Sequence, residues 1–320
     1  MSTFNLGLVG GGRMGQMHLR ALSTSTQVAV TSVVEPFEST AEKIRGLGYK
    51  VYPNLEQMVN SEKLDGILVA APTDQHLKVI SEIAATGLSI LSEKPCGLNS
   101  DQARQAGEIC SKNGVKLQVA YWRRFIPELR EVARKIASGE IGEVHFINAS
   151  QWDESPPRKE FRLASGGIFV DMAVHEIDQI RWLTGQEVVK TKTSIFPQTE
   201  DSKGDTDSTQ SILEMSGGAI GLVSLGRFHP GGDLVSAEVF TSKEHTRIEI
   251  LTPSTGEKPQ LDALRLQAES FANWVLGGPQ EGATSSDAEA ALDVANKLKA
   301  DAGLAVSGKT QDRLISTPRA

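Results

Sequence analysis

The chain of 320 residues carries 33 Lys+Arg against 40 Asp+Glu, a formal charge of -7, with 39% hydrophobic residues. That length can bury a sizeable core and predicts two domains, while the acidic balance and the lack of a Lys/Arg run interleaved with aromatics exclude a nucleic-acid partner. Two cysteines, Cys96 and Cys110, fit a reducing, cytoplasmic setting, and the absence of a basic leader or of ~18 uninterrupted apolar residues argues against secretion and a membrane partner.

No leader precedes the first strand, so the mature chain is expected to begin at its first residues. Short apolar runs at Phe4–Val9, Val28–Val34, Gly66–Ala70, Leu88–Leu91 and Val115–Val119 alternate with helix-length segments, which predicts a parallel sheet covered on both faces. One crossover helix is expected over Asp74–Thr86, where Leu77, Ile80, Ile83 and Ala84 keep helical spacing and Gly87 ends it. Beyond residue 140 the runs alternate apolar and polar residues, at Glu143–Ser150, Gln210–Met215, Ala219–Phe228 and Leu234–Phe240. Gly217-Gly218 joins two of them as a hairpin turn. These read as antiparallel strands, accompanied by helices over Val170–Leu183, Leu261–Leu276 and Ser286–Ala305. The second domain is therefore expected to pack helices on an antiparallel sheet, with the boundary near Tyr121–Pro127: residues 1–122 form one domain and 123–320 the other.

Directly after the first strand stands Gly10-Gly11-Gly12-Arg13-Met14-Gly15, a GxGxxG pattern that opens a helix. Gly10 permits the tight turn, Gly12 lets the backbone approach a pyrophosphate, and Gly15 allows close helix–strand contact. The helix N-terminus adds N–H groups and a positive dipole end. Glu35 ends the next strand 20 residues after Gly15, where a carboxylate accepts hydrogen bonds from the ribose hydroxyls of an adenine dinucleotide. The same carboxylate repels a 2′-phosphate, and no Arg or Lys stands beside it, so NAD is favoured over NADP.

Ser92-Glu93-Lys94-Pro95 places a lysine at the carboxyl edge of the sheet, where open α/β sheets bind ligands. Lys94 there either donates to a substrate hydroxyl or is an ordinary solvated loop lysine. Further on, Gly166-Gly167 leads into a helix on which Asp171 and His175 are four apart and share a face among apolar neighbours. A histidine beside a carboxylate in a partly buried site suits general-base work, although such a pair can equally brace the helix. Asp171, His175 and Asp178 also fall at i, i+4 and i+7, but without HExxH, CxxC or a further nearby histidine no metal is expected.

Taken together, these motifs resemble the glucose–fructose oxidoreductase / inositol dehydrogenase / rhizopine-catabolism (Gfo/Idh/MocA) oxidoreductase family. The resemblance runs through Gly10–Gly15, Ala71-Pro72-Thr73-Asp74-Gln75-His76, Glu93-Lys94-Pro95, Arg123-Arg124-Phe125 and Asp171 to Asp178. It implies an α/β architecture: an N-terminal Rossmann doubly wound parallel sheet, then a C-terminal α/β domain with a large, mostly antiparallel sheet that assembles homodimers or homotetramers. By the same resemblance Lys94, Asp171 and His175 are the catalytic group, with His175 as base, Asp171 orienting its imidazole and Lys94 on the reacting oxygen. Arg124 resembles the family arginine that approaches substrate hydroxyls, bracing the domain boundary being the other reading. Cofactor contacts are expected at Gly10, Gly12, Arg13, Met14, Gly15, Glu35, Thr73, His76, Glu93 and Lys94.

Trp152, Asp153 and Arg158 are expected on a loop after a strand, where an aromatic with charged neighbours can bind a polyol ring, and His229 is a weaker candidate of that kind. His18, His145 and His245 read as structural or surface residues. The expected activity is oxidation of a secondary hydroxyl of a cyclic polyol, with myo- or scyllo-inositol favoured as the small-molecule substrate. An aldose, anhydrosugar or glycoside is the alternative substrate, and a non-catalytic NAD-dependent sensor the alternative class.

Overall fold

The computed structural model describes residues 3–196, 202 and 204–304. Its first half builds a six-stranded sheet from β1 (Phe4–Val9), β2 (Val28–Val34), β3 (Lys50–Tyr52), β4 (Gly66–Val69), β5 (Ser89–Glu93) and β6 (Leu117–Ala120). The strands between them alternate with α1 (Arg13–Leu22), α2 (Glu38–Gly46), α3 (Leu55–Ser61), α4 (His76–Ala84) and α5 (Ser100–Lys112). All five pairings are parallel and the order is β3-β2-β1-β4-β5-β6. Every residue of β4 and β6 is buried, as a sheet with both faces covered by helices requires. The order reverses between β1 and β4, so the loops after those two strands flank the crevice where such sheets bind ligands.

The remainder forms α6 (Pro127–Ala137), β7 (Val144–Trp152), α7 (Lys159–Ser165), a π-helical turn (Phe169–Ala173) and α8 (Val174–Thr184). Then come β8 (Val188–Ile195), β9 (Ser208–Met215), β10 (Ile220–Gly226), β11 (Leu234–Thr241), β12 (His245–Leu251), α9 (Lys258–Val275) and α10 (Ser285–Asp301). The second sheet has the order β12-β11-β7-β10-β9-β8. It is mostly antiparallel, and the hairpin expected at Gly217-Gly218 joins β9 to β10. One pair, β7 and β10, runs parallel within the mostly antiparallel sheet, because the helices and strands between them form the long crossover that parallel pairing demands. Within β9 the burial alternates strictly, the mark of a strand with one face on the core.

The last two described helices tie the halves together. Ala268, Phe271 and Ala272 of α9 pack into the cluster of Phe4, Leu6, Leu8 and Leu19, so α9 covers the first sheet although it follows the second in sequence. An apolar helix face carries no label for the sheet it will cover, so this packing of α9 on the first sheet is not legible from the sequence. α10 lies against α5 on one side and α8 on the other. Ala305, the expected end of that helix, lies outside the described residues. Among the described residues no helix is long and apolar enough to cross a membrane.

The Phe271 ring is fully buried and meets Phe4 edge-on, with centroids 6.1 Å apart. Phe271→Ala is expected to lower unfolding stability by about 3–5 kcal/mol in a denaturant titration. A loss below about 1 kcal/mol would show that α9 is not part of this core.

Candidate active site

The glycine loop meets three separate steric demands. Gly10 has φ +101°, and a Cβ there would lie 2.5 Å from Ala70 O, so the turn between β1 and α1 and its contact with the β4 loop both require glycine. A Cβ at Gly15 would lie 2.1 Å from Gly10 O, whereas one at Gly12 would meet nothing within 4 Å. Gly12 thus leaves open space at the N-terminus of α1, where backbone N–H groups face a ligand. Gly11 is the third constrained glycine, since a Cβ there would sit 2.1 Å from Ile44 Cδ1. Glu35 is buried beside this loop; Oε2 accepts from Gly11 N and Oε1 from Phe37 N, both at 2.9 Å. These residues fit an adenine dinucleotide: an uncrowded helix N-terminus for the pyrophosphate and a fixed carboxylate at the end of β2. Arg13 is exposed and Met14 half-buried on the first turn of α1.

Across the crevice, Thr73 is half-buried at the start of a short 3-10 turn, and His76 is buried with Nε2 2.9 Å from Ala71 O. Burial pushes the His76 pKa down, so the ring is neutral and holds its own loop. Glu93 points to α1, where Oε1 lies 2.7 Å from His18 Nε2 in a buried pair. His18, expected to be structural, therefore joins the glycine-loop helix to the strand that ends in Lys94.

Lys94 follows β5 and reaches the second half of the chain. Its Nζ donates to the Asp171 carbonyl at 2.7 Å and lies 3.3 Å from Asp171 Oδ1. Asp171 sits in the π-helical turn, a local distortion frequent at functional sites. His175 occupies the first turn of α8 and is buried, with the ring edges of Tyr121 and Trp122 packed at centroid distances of 6.0 and 6.4 Å. Its Nδ1 is sealed from solvent without a hydrogen-bond partner. Burial first, then the charges of Lys94 and Arg123, hold the His175 pKa well below the usual histidine value. Lys94 and Asp171 are thus in contact, whereas Asp171 does not hydrogen-bond His175: its carboxylate turns toward Lys94 and toward Arg227, 3.7 Å away. Opposite charges draw it there.

The helix carrying His175 is fixed by two buried ion pairs. Arg123 hydrogen-bonds Glu176 and donates to Gln151 Oε1 at 2.7 Å. Arg124 grips Asp178 through Nε and Nη2 at 2.9 and 2.6 Å, and Nη2 also lies 3.1 Å from Asp287. In these contacts Arg124 has the geometry of a brace. Asp153 is at the site: Oδ1 accepts from Gln151 Nε2 at 2.9 Å, and burial, Asp233 and Asp171 raise its carboxyl pKa against the pull of Arg227.

Trp152 corrects an expectation. It is the last residue of β7, its Nε1 donates to Ser224 Oγ at 3.2 Å, and its ring lies so close to Gly226 that a Cβ there would be 2.0 Å away. Side chains alternate along a strand, so with Gln151 directed to Arg123 and α8, Trp152 faces the opposite side of the sheet. Arg158 is exposed at the start of α7 and makes no ion pair among the described residues. His229 is held in its own turn, Nδ1 lying 2.5 Å from Gly232 O, while its backbone N–H donates to Asp153 O at 2.9 Å. Tyr121, Trp122, Glu176 and Arg227 were not singled out from the sequence. For Arg227 a signal existed, a lone charge closing the apolar run Ala219–Phe228, since a charge so placed must find a partner. No group of three or more His, Cys, Asp or Glu among the described residues is arranged to hold a metal.

A doubly wound sheet with an open glycine loop, carrying a lysine after β5 that meets an aspartate on the turn before α8, with a buried neutral histidine on α8, defines a dinucleotide-dependent oxidoreductase. Residues 4–121 match the oxidoreductase family with an NAD-binding Rossmann fold, and residues 129–247 match the GFO/IDH/MocA C-terminal domain. The chain belongs to the GFO/IDH/MocA family and is an NAD-dependent oxidoreductase acting on CH–OH groups. It is 42% identical to the rhizopine catabolism protein MocA of Rhizobium meliloti over 92% of this chain and 94% of that protein. It is 30% identical to an inositol 2-dehydrogenase of Rhizobium meliloti (strain 1021), over 92% and 95% of the two chains. The crystal structure of myo-inositol 2-dehydrogenase from Lactobacillus plantarum superposes with a TM-score of 0.83 at 25% identity, covering 94% of this chain and 98% of that one.

The lowered His175 pKa fixes a sign. Below about pH 6.5 the unfolded chain binds a proton that the native His175 refuses, so native stability falls as pH drops. His76 contributes in the same direction. Between pH 6.5 and 5.5 the wild type is expected to lose up to about 1.4 kcal/mol more than His175→Asn. Equal pH slopes for the two proteins in urea titrations would refute the depressed histidine.

Proposed function

We propose that the enzyme oxidises a secondary ring hydroxyl of a cyclic polyol of the inositol type, such as myo- or scyllo-inositol, to the ketone. The observation that carries the reading is Lys94 Nζ, fixed by the Asp171 carbonyl and carboxylate beside a neutral, buried His175. The relatives at 42% and 30% identity support the substrate class, as does the acid-lined site around Asp153 and Asp171. A cyclic polyol presents several hydroxyls to such carboxylates as donors.

In this reading the Lys94 ammonium donates to the reacting hydroxyl oxygen and stabilises negative charge that builds on it. His175, neutral because burial and neighbouring cations disfavour its charged form, accepts the hydroxyl proton at Nε2, the nitrogen not sealed in the protein. Asp171 holds Lys94 in place and offsets the positive charge that arrives on the imidazole. Bound NAD supplies the hydride acceptor for the carbinol carbon. Glu35 and the open face at Gly12 would hold the dinucleotide, and because both Glu35 oxygens accept from backbone N–H groups, the carboxylate is fixed after β2, where its charge would disfavour a 2′-phosphate.

NADH formation with myo-, scyllo- and chiro-inositol, glucose, xylose, galactose and levoglucosan tests this reading. Turnover is expected on inositols, with higher kcat/KM for NAD than NADP, and His175→Ala or Lys94→Ala should each lower kcat by at least ~10². Turnover confined to sugars would discard the substrate class and keep the mechanism. Thermal stabilisation by NAD with no NADH on any polyol would instead favour a sensor.

A further inference from the structure

Arg227 is the charged side chain at this site that the mechanism leaves unused. It follows Gly226 at the end of β10, is fully buried, and none of its guanidinium nitrogens makes a hydrogen bond. Its Nη2 lies between two carboxylates, 3.7 Å from Asp171 Oδ2 and 3.8 Å from Asp205 Oδ2. Arg123 and Arg124 hold their acids through direct hydrogen bonds, the geometry of a brace. Arg227 lacks that geometry and acts through its field, which is strong where water is excluded.

Asp171 is therefore a carboxylate held between two cations, Oδ1 facing Lys94 at 3.3 Å and Oδ2 facing Arg227 at 3.7 Å. The same guanidinium is anchored to the start of the segment that carries Asp171, because Asp205 Oδ1 accepts from Ile168 N at 2.8 Å. Asp205 also faces Arg162 at 3.5 Å, whereas Asp171 is the acid through which Arg227 reaches Lys94.

We infer that Arg227 is a positioning residue for the reaction: by holding the far oxygen of Asp171 it keeps that carboxylate from closing on Lys94, and so leaves the ammonium free to direct its charge at the reacting oxygen. The inference rests on the proposed role of Lys94. One arm of its test therefore needs neither substrate nor cofactor.

That arm is the rate of reductive methylation of Lys94, followed by peptide mass spectrometry; 18% of the side chain is exposed, enough for formaldehyde to reach it. Without Arg227 the Asp171 carboxylate is free to close on Lys94 and tie its amine into a tighter ion pair, so Arg227→Met should slow Lys94 labelling roughly threefold or more. Asp171→Asn should accelerate it, and Arg227→Lys should label at close to the wild-type rate. Simple loosening of the fold would accelerate labelling in Arg227→Met as well, so acceleration or no change in that variant overturns the inference. If circular dichroism shows that Arg227→Met does not fold, Arg227→Gln carries the same expectations.

The second arm is kinetic. Arg227→Met should lower kcat roughly tenfold at unchanged KM for NAD, with recovery in Arg227→Lys. In the Asp171→Asn background the same change should cost nothing further, because its effect passes through Asp171. Additive losses would make Arg227 a structural residue. Absence of turnover on every polyol would sink the proposed substrate class and leave the labelling rates to decide the role of Arg227.

Discussion

The site depends on the two buried arginine–carboxylate pairs that fix α8 to the chain leaving the first sheet. Arg123 and Arg124 stand in the short 3-10 turn that begins two residues after β6, and Glu176 and Asp178 stand one residue before and after Ile177 on α8. Removing one partner of such a pair strands a charge in the interior, at a cost of about 3–5 kcal/mol. That penalty is why α8 cannot drift relative to β6. Lys94, at the end of the neighbouring β5, then meets the turn before α8 at a fixed place. Crevice and chemistry are held together by an electrostatic clamp, and the apolar residues around it fill space without setting direction.

The clamp also sets the charge state of His175. Three cations, Lys94, Arg123 and Arg227, surround the π-helical turn and the start of α8, and each faces a carboxylate: Asp171, Glu176 or Asp205. The histidine has no hydrogen-bonded acid of its own, and burial first, then the charges of Lys94 and Arg123, keep its ring neutral. Had Asp171 hydrogen-bonded the imidazole, the favoured form would have been the cation. The observed geometry instead separates the tasks: the carboxylate manages the lysine, and the histidine remains an empty proton acceptor.

How far the sequence discloses this arrangement depends on how local each feature is. The glycine loop was legible because its constraints lie within six residues and a following helix, and the first sheet because fully buried parallel strands read as unbroken apolar runs. β3 escaped notice at three residues, and β8 because Lys190, Lys192 and Ser194 are exposed and even its half-buried positions carry Thr191 and Thr193. Lys94, Asp171 and His175 could be named from motif and resemblance, yet which of them touch could not, since Lys94 and Asp171 are 77 residues apart. Trp152 was misplaced for a simpler reason: β7 runs on two residues past Ser150 to residue 152, so a residue expected on a loop sits in the sheet with its side chain committed to one face.

The contrast between the arginines and Lys94 carries one further consequence. Arginine pairs with forked hydrogen bonds fix both position and orientation, whereas an ammonium on a four-carbon stem holds a point charge that can swing. Arginines are placed where α8 must not move. The lysine is placed where a hydroxyl oxygen has to be met and, after the reaction, a carbonyl oxygen released. Its hold on the Asp171 carboxylate is loose, at 3.3 Å, while its bond to the backbone carbonyl is tight, at 2.7 Å. The backbone bond keeps the amine in the site, and the longer contact leaves its remaining charge available to the substrate.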